Sequence, residues 1–264
     1  MNKTQRKEEN KKMNERIINK LKEIELKENV RILFAVESGS RAWGFESPDS
    51  DYDVRFVYVR KENDYLKLNT YRDVIEWELD DVYDINGWDL QKALKLLRAS
   101  NPALFEWLNS PIVYITSPEH EELRKIAEHY VDTKKIAFHY IHTASNNYRN
   151  YLRKEEVKLK KYFYAIRPIL AERYVLATQE IPPVLFEKLM DSQLKEEDIK
   201  KVVMELLARK KVTSELGFEK PNECLDLFIK NEIEKLKKQA NNLDSSNFTW
   251  DELNAFFIKV LEKQ

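Results

Sequence analysis

The chain contains little cysteine and little glycine. Its one cysteine, Cys224, excludes both an internal disulfide framework and a metal centre built from several cysteines. Four glycines in 264 residues leave few positions for tight turns, and the 34% of charged residues is typical of helices with solvated faces. We therefore expect a helix-rich protein.

Long apolar runs are also missing. No segment approaches the roughly 18 apolar residues of a membrane-spanning helix, and the first residues, rich in lysine and glutamate, lack the apolar core of a signal peptide. These features predict a cytoplasmic protein without a membrane partner. The length predicts one large or two ordinary domains, and an apolar fraction of 42% is enough for a core.

The net charge is only −1, but the charges are unevenly distributed. Residues 28–90 carry 15 acidic and 7 basic side chains, whereas residues 149–173 carry 8 basic and 3 acidic ones. An acidic segment next to a basic one fits a cation site that faces an anion-binding wall. Ordinary solvated surface explains the basic segment equally well.

One stretch, residues 37–58, organises the rest of the sequence. Before it, residues 32–36 form an apolar run that predicts a buried strand, which Gly39 and Ser40 end. A polar loop then leads to Asp51 and Asp53, where a second strand is predicted over residues 52–59. Because residues i and i+2 of a strand point to the same side, the two carboxylates should share a face.

Two carboxylates so close together repel each other, and a divalent cation is the simplest compensation. Hard oxygen ligands that leave room for water and phosphate suit Mg²⁺, with Mn²⁺ as a substitute. The turn at Gly39 and Ser40 offers backbone N–H groups, a hydroxyl and close approach to the chain, as a polyphosphate requires. The alternative is a pair of exposed loop acids without a metal.

The spacing of Gly39-Ser40 and Asp51-Tyr52-Asp53 resembles the motif of the DNA polymerase β-like nucleotidyltransferase superfamily. Together with residues 41–44 and 84–90, it is similar to one branch of predicted nucleotidyltransferases, some of which are associated with RNA ligases in RNA repair. The superfamily motif covers about residues 30–90, and the likeness to the branch extends more loosely to about residue 173. The resemblance implies a nucleoside triphosphate as substrate and Mg²⁺ as cofactor.

The resemblance also implies a third carboxylate on a neighbouring strand, completing a two-metal site with Asp51 and Asp53 as catalytic metal ligands. The candidates are Glu76, Glu78, Asp84 and Asp89. The family pattern favours Asp84, before a turn expected at residues 86–87, as the third catalytic residue and metal ligand. Asp89 is better explained as the N-cap of the following helix.

The turn supplies the first candidates for nucleotide binding. The resemblance implies that Gly39, Ser40 and Arg41 contact the triphosphate. Capping of the following helix is the alternative for Ser40, and an ion pair with Asp49 is the alternative for Arg41. Trp43 and Phe45 could stack on a base, but aromatic residues in such a loop are more often used for packing.

The basic segment supplies the remaining candidates. Helical spacing places Lys160, Tyr164 and Arg167 on one face, where the resemblance implies that they hold the nucleotide tail or an RNA acceptor through cations and stacking. A solvated helix with buried tyrosines is the alternative. His139 and His142 share a helix face without acids at metal-ligand spacing, which favours ordinary, partly buried histidines.

The predicted elements indicate an α+β fold, with a small mixed β-sheet and packed helices followed by an all-helical region. Strands are expected near residues 30–36, 52–59, 71–78, 82–85 and 112–115, and a first helix near residues 10–26. Later helices are expected near residues 133–153, 158–178, 183–190, 195–211, 221–240 and 249–262. Pro168 should kink or divide the second of these. We place a nucleotidyltransferase domain at residues 1–125 and a helical domain that frames the cleft at residues 126–264.

The function that fits these features is Mg²⁺-dependent transfer of a nucleoside monophosphate from a nucleoside triphosphate to an acceptor hydroxyl. An RNA end, a protein hydroxyl and a small metabolite remain open as acceptors. The second hypothesis is a catalytically silent, antitoxin-like module that binds nucleotide or RNA and has kept the fold. A purely structural or interaction protein is the third, and the sequence does not indicate an oligomeric state.

Overall fold

The computed structural model of the protein describes residues 3–69, 71–80, 82–212 and 217–263. It confirms the α+β fold, with a five-stranded mixed sheet at its centre. The strands are β1 (Arg31–Glu37), β2 (Tyr52–Val59), β3 (Val74–Leu79), β4 (Tyr83–Asp89) and β5 (Val113–Ile115). Their order in the sheet is β3-β4-β2-β1-β5, in which β2 and β4 pair in parallel and the other neighbours pair antiparallel.

Helices surround the sheet and make up most of the second half of the chain. They are α1 (Lys3–Glu28), α2 (Gly39–Ala42), α3 (Glu62–Tyr65), α4 (Leu90–Arg98), α5 (Pro102–Leu108), α6 (Pro118–Ala127), α7 (Thr133–Asn147), α8 (Lys160–Thr178), α9 (Phe186–Gln193), α10 (Glu197–Val212), α11 (Glu223–Asn241) and α12 (Asp251–Leu261). A small two-stranded sheet joins β6 (Val157–Lys158) to β7 (Phe218–Glu219). Within the described ranges, no helix is both long and apolar enough to cross a bilayer.

The sheet is covered on both faces. Helix α1 packs on one face through Ile17, Leu21 and Ile24, which recur at helical spacing and are fully buried. The other face contributes residues such as Phe34 and Val57 to a larger cluster that continues through the helices as far as α12. The two halves of the chain therefore share one continuous core, and the division at residue 125 stays a prediction.

Local capping explains where several helices begin. The side chain of Asp89 accepts a hydrogen bond from the N–H of Gln91 at 2.8 Å and thereby caps α4, as the sequence predicts. Ser117 caps α6 in the same way, ahead of a proline in the first turn. These caps fix the ends of the helices that pack against the sheet.

A predicted turn and a predicted break in a helix are absent. Residues 86–87 do not form a turn, because β4 continues through Gly87 to its last residue, Asp89. A Cβ on Gly87 would lie 2.1 Å from Cε2 of Phe56, so this glycine allows an aromatic ring to pack on the strand. Pro168 does not divide α8, which continues through it, and the helix is buried around the proline, so packing offsets the lost hydrogen bond.

The burial of α1 makes a testable prediction about stability. We expect Leu21→Ala to lower the free energy of unfolding by about 2–5 kcal/mol, because it opens a cavity between α1 and the sheet. Leu26→Ala is the matched control, since Leu26 lies on the same helix and is 83% exposed. Urea denaturation measures both variants. Equal stability of the two variants would contradict the packing of α1 described here.

Candidate active site

Asp53 and Asp84 lie side by side on the parallel strands β2 and β4. They are direct partners in the register, so their side chains leave the same face of the sheet. The guanidinium of Arg55 bridges them, with Nη2 at 3.1 Å from Oδ1 of Asp53 and at 2.6 Å from Oδ2 of Asp84. Its Nη1 also donates to the carbonyl of Asp84 at 2.7 Å. Arg55 thus neutralises part of the negative charge that the strand pairing concentrates.

The turn after β1 brings the backbone against the carboxylate of Asp53. Gly39 has a φ of +58°, a conformation that glycine adopts readily and other residues adopt rarely. A Cβ on Gly39 would lie 1.9 Å from Oδ2 of Asp53. The N–H of Ser38 donates to the carbonyl of Asp53 at 2.8 Å. Both the left-handed turn and the close approach to the carboxylate therefore require glycine.

Polar contacts hold the loop between the turn and β2. The hydroxyl of Ser40, which is buried, donates to Oγ of Ser50 at 3.2 Å. Arg41 donates from Nε to the carbonyl of Asp51 at 3.0 Å, and its guanidinium lies 3.8 Å from the centre of the Tyr52 ring. Arg41 therefore fixes the backbone at Asp51, whose exposed side chain stands directly before β2.

The carboxylates of the site are electrostatically coupled. Burial raises the pKa of Asp53 to about 6, the positive charge of Arg55 opposes this rise, and the negative charges of Asp51 and Asp84 add to it. The ionised form of Asp53 is therefore disfavoured below about pH 6. A cation bound to the carboxylates would favour the ionised form.

Glu37, at the end of β1, is a part of the site that the sequence reasoning did not single out. It is fully buried, its Oε1 accepts the N–H of Asp53 at 2.9 Å, and its Oε2 accepts the hydroxyl of Tyr114. Burial raises its pKa to about 7. Glu37 thus supports the backbone of Asp53 from behind, and the signal for it was a glutamate that ends an apolar strand.

The donor set at this edge of the sheet is suited to Mg²⁺. Carboxylate oxygens are its preferred ligands, and one or two carboxylates are enough when substrate phosphates supply the rest. Asp51 and Asp53 provide such a pair, and Gly39 leaves the space beside Asp53 free of a side chain. The described part of the chain contains no group of three or more acidic, histidine or cysteine side chains placed to hold a metal, and Arg55 occupies the side of Asp84 that faces Asp53.

Two lysines, Lys160 on α8 and Lys210 on α10, lie near the loop that contains Phe45. Lys210 is 3% exposed, and its Nζ donates to the carbonyl of Phe45 at 2.6 Å. Burial, together with the charges of Lys160 and Arg41, lowers the pKa of Lys210 to about 8. Lys210, which the sequence did not indicate, thus lies within electrostatic range of both predicted residues, Lys160 and Arg41.

Tyr164 and Arg167, the other predicted residues of α8, face a cavity beside the turn. The charges of Asp53 and Asp51 contribute to raising the pKa of Tyr164 to about 12, although burial is the larger cause. Arg167 is 4% exposed and pairs with Glu106 at 2.9 Å. Tyr164 is therefore near the carboxylates, whereas the guanidinium of Arg167 is turned away from solvent and already neutralised.

The remaining candidates for a third acid lie elsewhere. Glu76 is exposed and pairs with Arg72, on the edge strand β3. Asp89 is buried at the opposite end of β4, where it caps α4 and accepts a hydrogen bond from Tyr65 at 2.9 Å. The side chain of Glu78 lies outside the described part of the structure. Of the four candidates, Asp84 is the one that the strand register pairs with Asp53.

Comparisons with known proteins show the family of the chain. A family model described as the RNA repair pathway DNA polymerase beta family matches residues 13–259. The chain is 43% identical to the uncharacterized protein YcgL of Bacillus subtilis over 254 residues, which cover 95% of this chain and 97% of that protein.

Among solved structures, the chain matches a crystal structure of a nucleotidyltransferase-like protein from Exiguobacterium sibiricum. The match covers 89% of this chain and 74% of that protein, with 12% sequence identity and a TM-score of 0.28. A score this low adds nothing to the assignment, which is based on the family model and on the relative in Bacillus subtilis. The chain belongs to the RNA repair pathway DNA polymerase beta family.

Proposed function

We propose that this protein is a metal-dependent nucleotidyltransferase that moves a nucleoside monophosphate from a nucleoside triphosphate to an acceptor hydroxyl. The observation that carries the proposal is the carboxylate of Asp53 held against the Gly39 turn, with Asp51 directly before the same strand. This arrangement combines cation ligands and phosphate-binding backbone in one place. Membership in an RNA repair family makes an RNA end the first acceptor to test, ahead of a protein or a small molecule.

Asp51 and Asp53 would hold Mg²⁺, or Mn²⁺ in its place, and Asp84 would complete the set of acids. When bound, the ion would neutralise phosphate charge as the leaving group departs. The backbone N–H groups of the turn would orient the triphosphate. Because Arg55 occupies one oxygen of Asp84, the other oxygen of Asp84 would accept the proton of the attacking hydroxyl. That hydroxyl oxygen forms a bond to the α-phosphorus, the bond to the β-phosphate oxygen breaks, and pyrophosphate leaves.

The cations beside the loop would bind the rest of the triphosphate. Lys160 and Arg41 are close enough to Lys210 for their charges to lower its pKa, so an anion placed among them would relieve mutual repulsion. Lys210 itself is buried and donates a hydrogen bond to the carbonyl of Phe45, so its role would be to hold the loop in place. Phosphate contacts of this kind position the substrate and carry no information about the base.

The first experiment is a transfer assay with each nucleoside triphosphate labelled at its α-phosphate. The acceptors are RNAs with defined ends and total cell extract, with Mg²⁺ or Mn²⁺ present. We expect Asp53→Asn to abolish label transfer, because the remaining side chain cannot supply the anionic ligand. RNA binding that needs no metal, without any transfer by the wild type, would instead support the silent binding module.

A glycine pair makes the same test sharper. We expect Gly39→Ala to reduce transfer at least a hundredfold, an estimate of about 3 kcal/mol that follows from a strained φ and a displaced carboxylate. Gly217→Ala is the matched control, since a Cβ on Gly217 has no neighbour within 4 Å among the described residues. Comparable activity of both variants would show that the turn does not need to approach Asp53.

The raised pKa of Asp53 predicts a pH dependence of metal affinity. The carboxyl must be ionised to bind a cation, so we expect Mn²⁺ affinity to be steady above about pH 6 and to fall as the pH is lowered below this value. Arg55→Met should move this midpoint upward, because the charge of Arg55 holds the pKa down. Arg72→Met, at an exposed pair, is the control. Electron paramagnetic resonance of Mn²⁺ follows the titration, and an unmoved midpoint in Arg55→Met would argue against this coupling.

The proposed role of Lys160 predicts a selective effect on substrate binding. We expect Lys160→Met to raise KM for the nucleoside triphosphate roughly tenfold with little change in kcat, because a charge-assisted contact to the phosphates is lost. Lys188→Met, on the exposed surface of α9, should leave both constants unchanged. Steady-state kinetics measures KM and kcat of both variants. A fall in kcat alone would show that Lys160 acts in a step other than substrate binding.

A further inference from the structure

A cavity of about 210 Å³ opens beside the carboxylates, between the turn and helices α5, α7 and α8. The side chains and backbone that matter for its chemistry belong to Ser38, Trp43, Glu106, His139, Asn147 and Tyr164. Two of its lining residues, Ser38 and Tyr164, also interact with residues of the candidate active site. The N–H of Ser38 donates to the carbonyl of Asp53, and Tyr164 feels the charges of Asp51 and Asp53.

The lining carries no free charge. Glu106 and Arg167 are the charged side chains among the described residues of the wall, and they pair at 2.9 Å. Glu106 also accepts hydrogen bonds from Tyr140 and from Nε1 of Trp43, both at 3.0 Å. At the rim, desolvation lowers the pKa of His139 below its usual value, so this ring is neutral at pH 7. A neutral ligand therefore fits this cavity better than a phosphate does.

The walls are aromatic and held in place. The ring of Trp43 is fixed by its hydrogen bond to Glu106, by the guanidinium of Arg167 at 4.3 Å and by the edge of Tyr164 at 5.8 Å. Trp107 adds a further ring to the wall. The volume is below the roughly 300 Å³ of a pocket for a drug-sized ligand. The space thus suits one flat ring system and not a whole nucleoside.

One face of α7 supplies polar groups for the edge of such a ring. His139, Thr143 and Asn147 follow one another at intervals of four residues and all line the cavity. Asn147 donates from Nδ2 to the carbonyl of Thr143 at 2.9 Å, and in the part of the chain that the structure describes its Oδ1 has no partner. The neutral imidazole of His139 offers one donor and one acceptor. These groups can read the hydrogen-bonding edge of a base.

We propose that this cavity is a nucleobase site, in which a base stacks against Trp43 while its edge meets His139 and Asn147. The proposal deepens the proposed function and rests on it for the identity of the ligand. The base comes either from the nucleoside triphosphate or from the end of an RNA acceptor. Trp43, which the sequence assigned to packing, and His139, which it indicated as an ordinary, partly buried histidine, would then contact the substrate.

The test fills the cavity and compares ligands with and without a base. Thr143→Phe places a ring in the cavity, and Ala103→Leu fills it from α5 if the first variant folds poorly. Thr178→Phe is the matched control, because Thr178 makes the same hydrogen bond to the carbonyl four residues earlier and does not line the cavity. Calorimetry measures the binding of Mg²⁺–nucleoside triphosphates, Mg²⁺–tripolyphosphate, nucleosides and short RNAs.

We expect the affinity of the filled variants for ligands with a base to fall roughly tenfold or more, because a stacking contact is lost. Their affinity for tripolyphosphate should equal that of the wild type. Loss confined to nucleoside triphosphates assigns the base to the donor, and loss confined to RNA assigns it to the acceptor. Equal losses for tripolyphosphate, or no loss for any ligand, would overturn the proposal.

The proposed function and the base site can fail separately in this experiment. Wild-type protein that binds nucleosides in a manner sensitive to Thr143→Phe, yet binds no triphosphate and transfers no label, would keep the base site and refute the nucleotidyltransferase. Transfer with unchanged constants in both filled variants would keep the enzyme and refute the base site.

Discussion

The parallel pairing of β2 and β4 is the constraint on which the rest of the site depends. It sets Asp53 beside Asp84 and makes Arg55 the counter-ion of both. The left-handed turn at Gly39 can then approach the carboxylate because no side chain intervenes. Charge, backbone conformation and strand register therefore depend on one another at this edge of the sheet, and the proposed cation and phosphate sites would need all three.

Side chains from the helical half of the chain pack directly against the loop of the candidate active site. The ring of Phe45 lies 5.3 Å from the ring of Phe163 and 5.3 Å from the ring of Phe186, and these two rings are 5.9 Å apart. Tyr164, on α8, also contacts the ring of Phe45. Lys210 contacts this loop at the carbonyl of Phe45, and the aromatic cavity adjoins the same segment at Ser38 and Trp43. In the proposed function, phosphate and base would therefore be recognised at different places along one segment.

Local patterns predicted the strands and the later helices, because apolar periodicity and turn chemistry act over a few residues. What the sequence did not reveal depends on distant contacts. Lys210 reaches the carbonyl of Phe45 across 165 positions of sequence, and Arg55 acquires its role only when β4 pairs with β2. The turn expected at Gly87 is absent for the same reason, since the packing of a ring from the neighbouring strand overrides the local preference of glycine.

The anchoring of Phe45 also has a consequence for motion. Its carbonyl is tied to α10 and its ring is packed against α8 and α9, so swinging the loop away from the helices would break a buried hydrogen bond and expose several aromatic rings. The substrate of the proposed function would therefore have to enter without the loop opening as a hinge. Any adjustment on binding would then be made by exposed side chains such as Asp51. Their rotations take picoseconds to nanoseconds and are faster than a displacement of the loop relative to the helices.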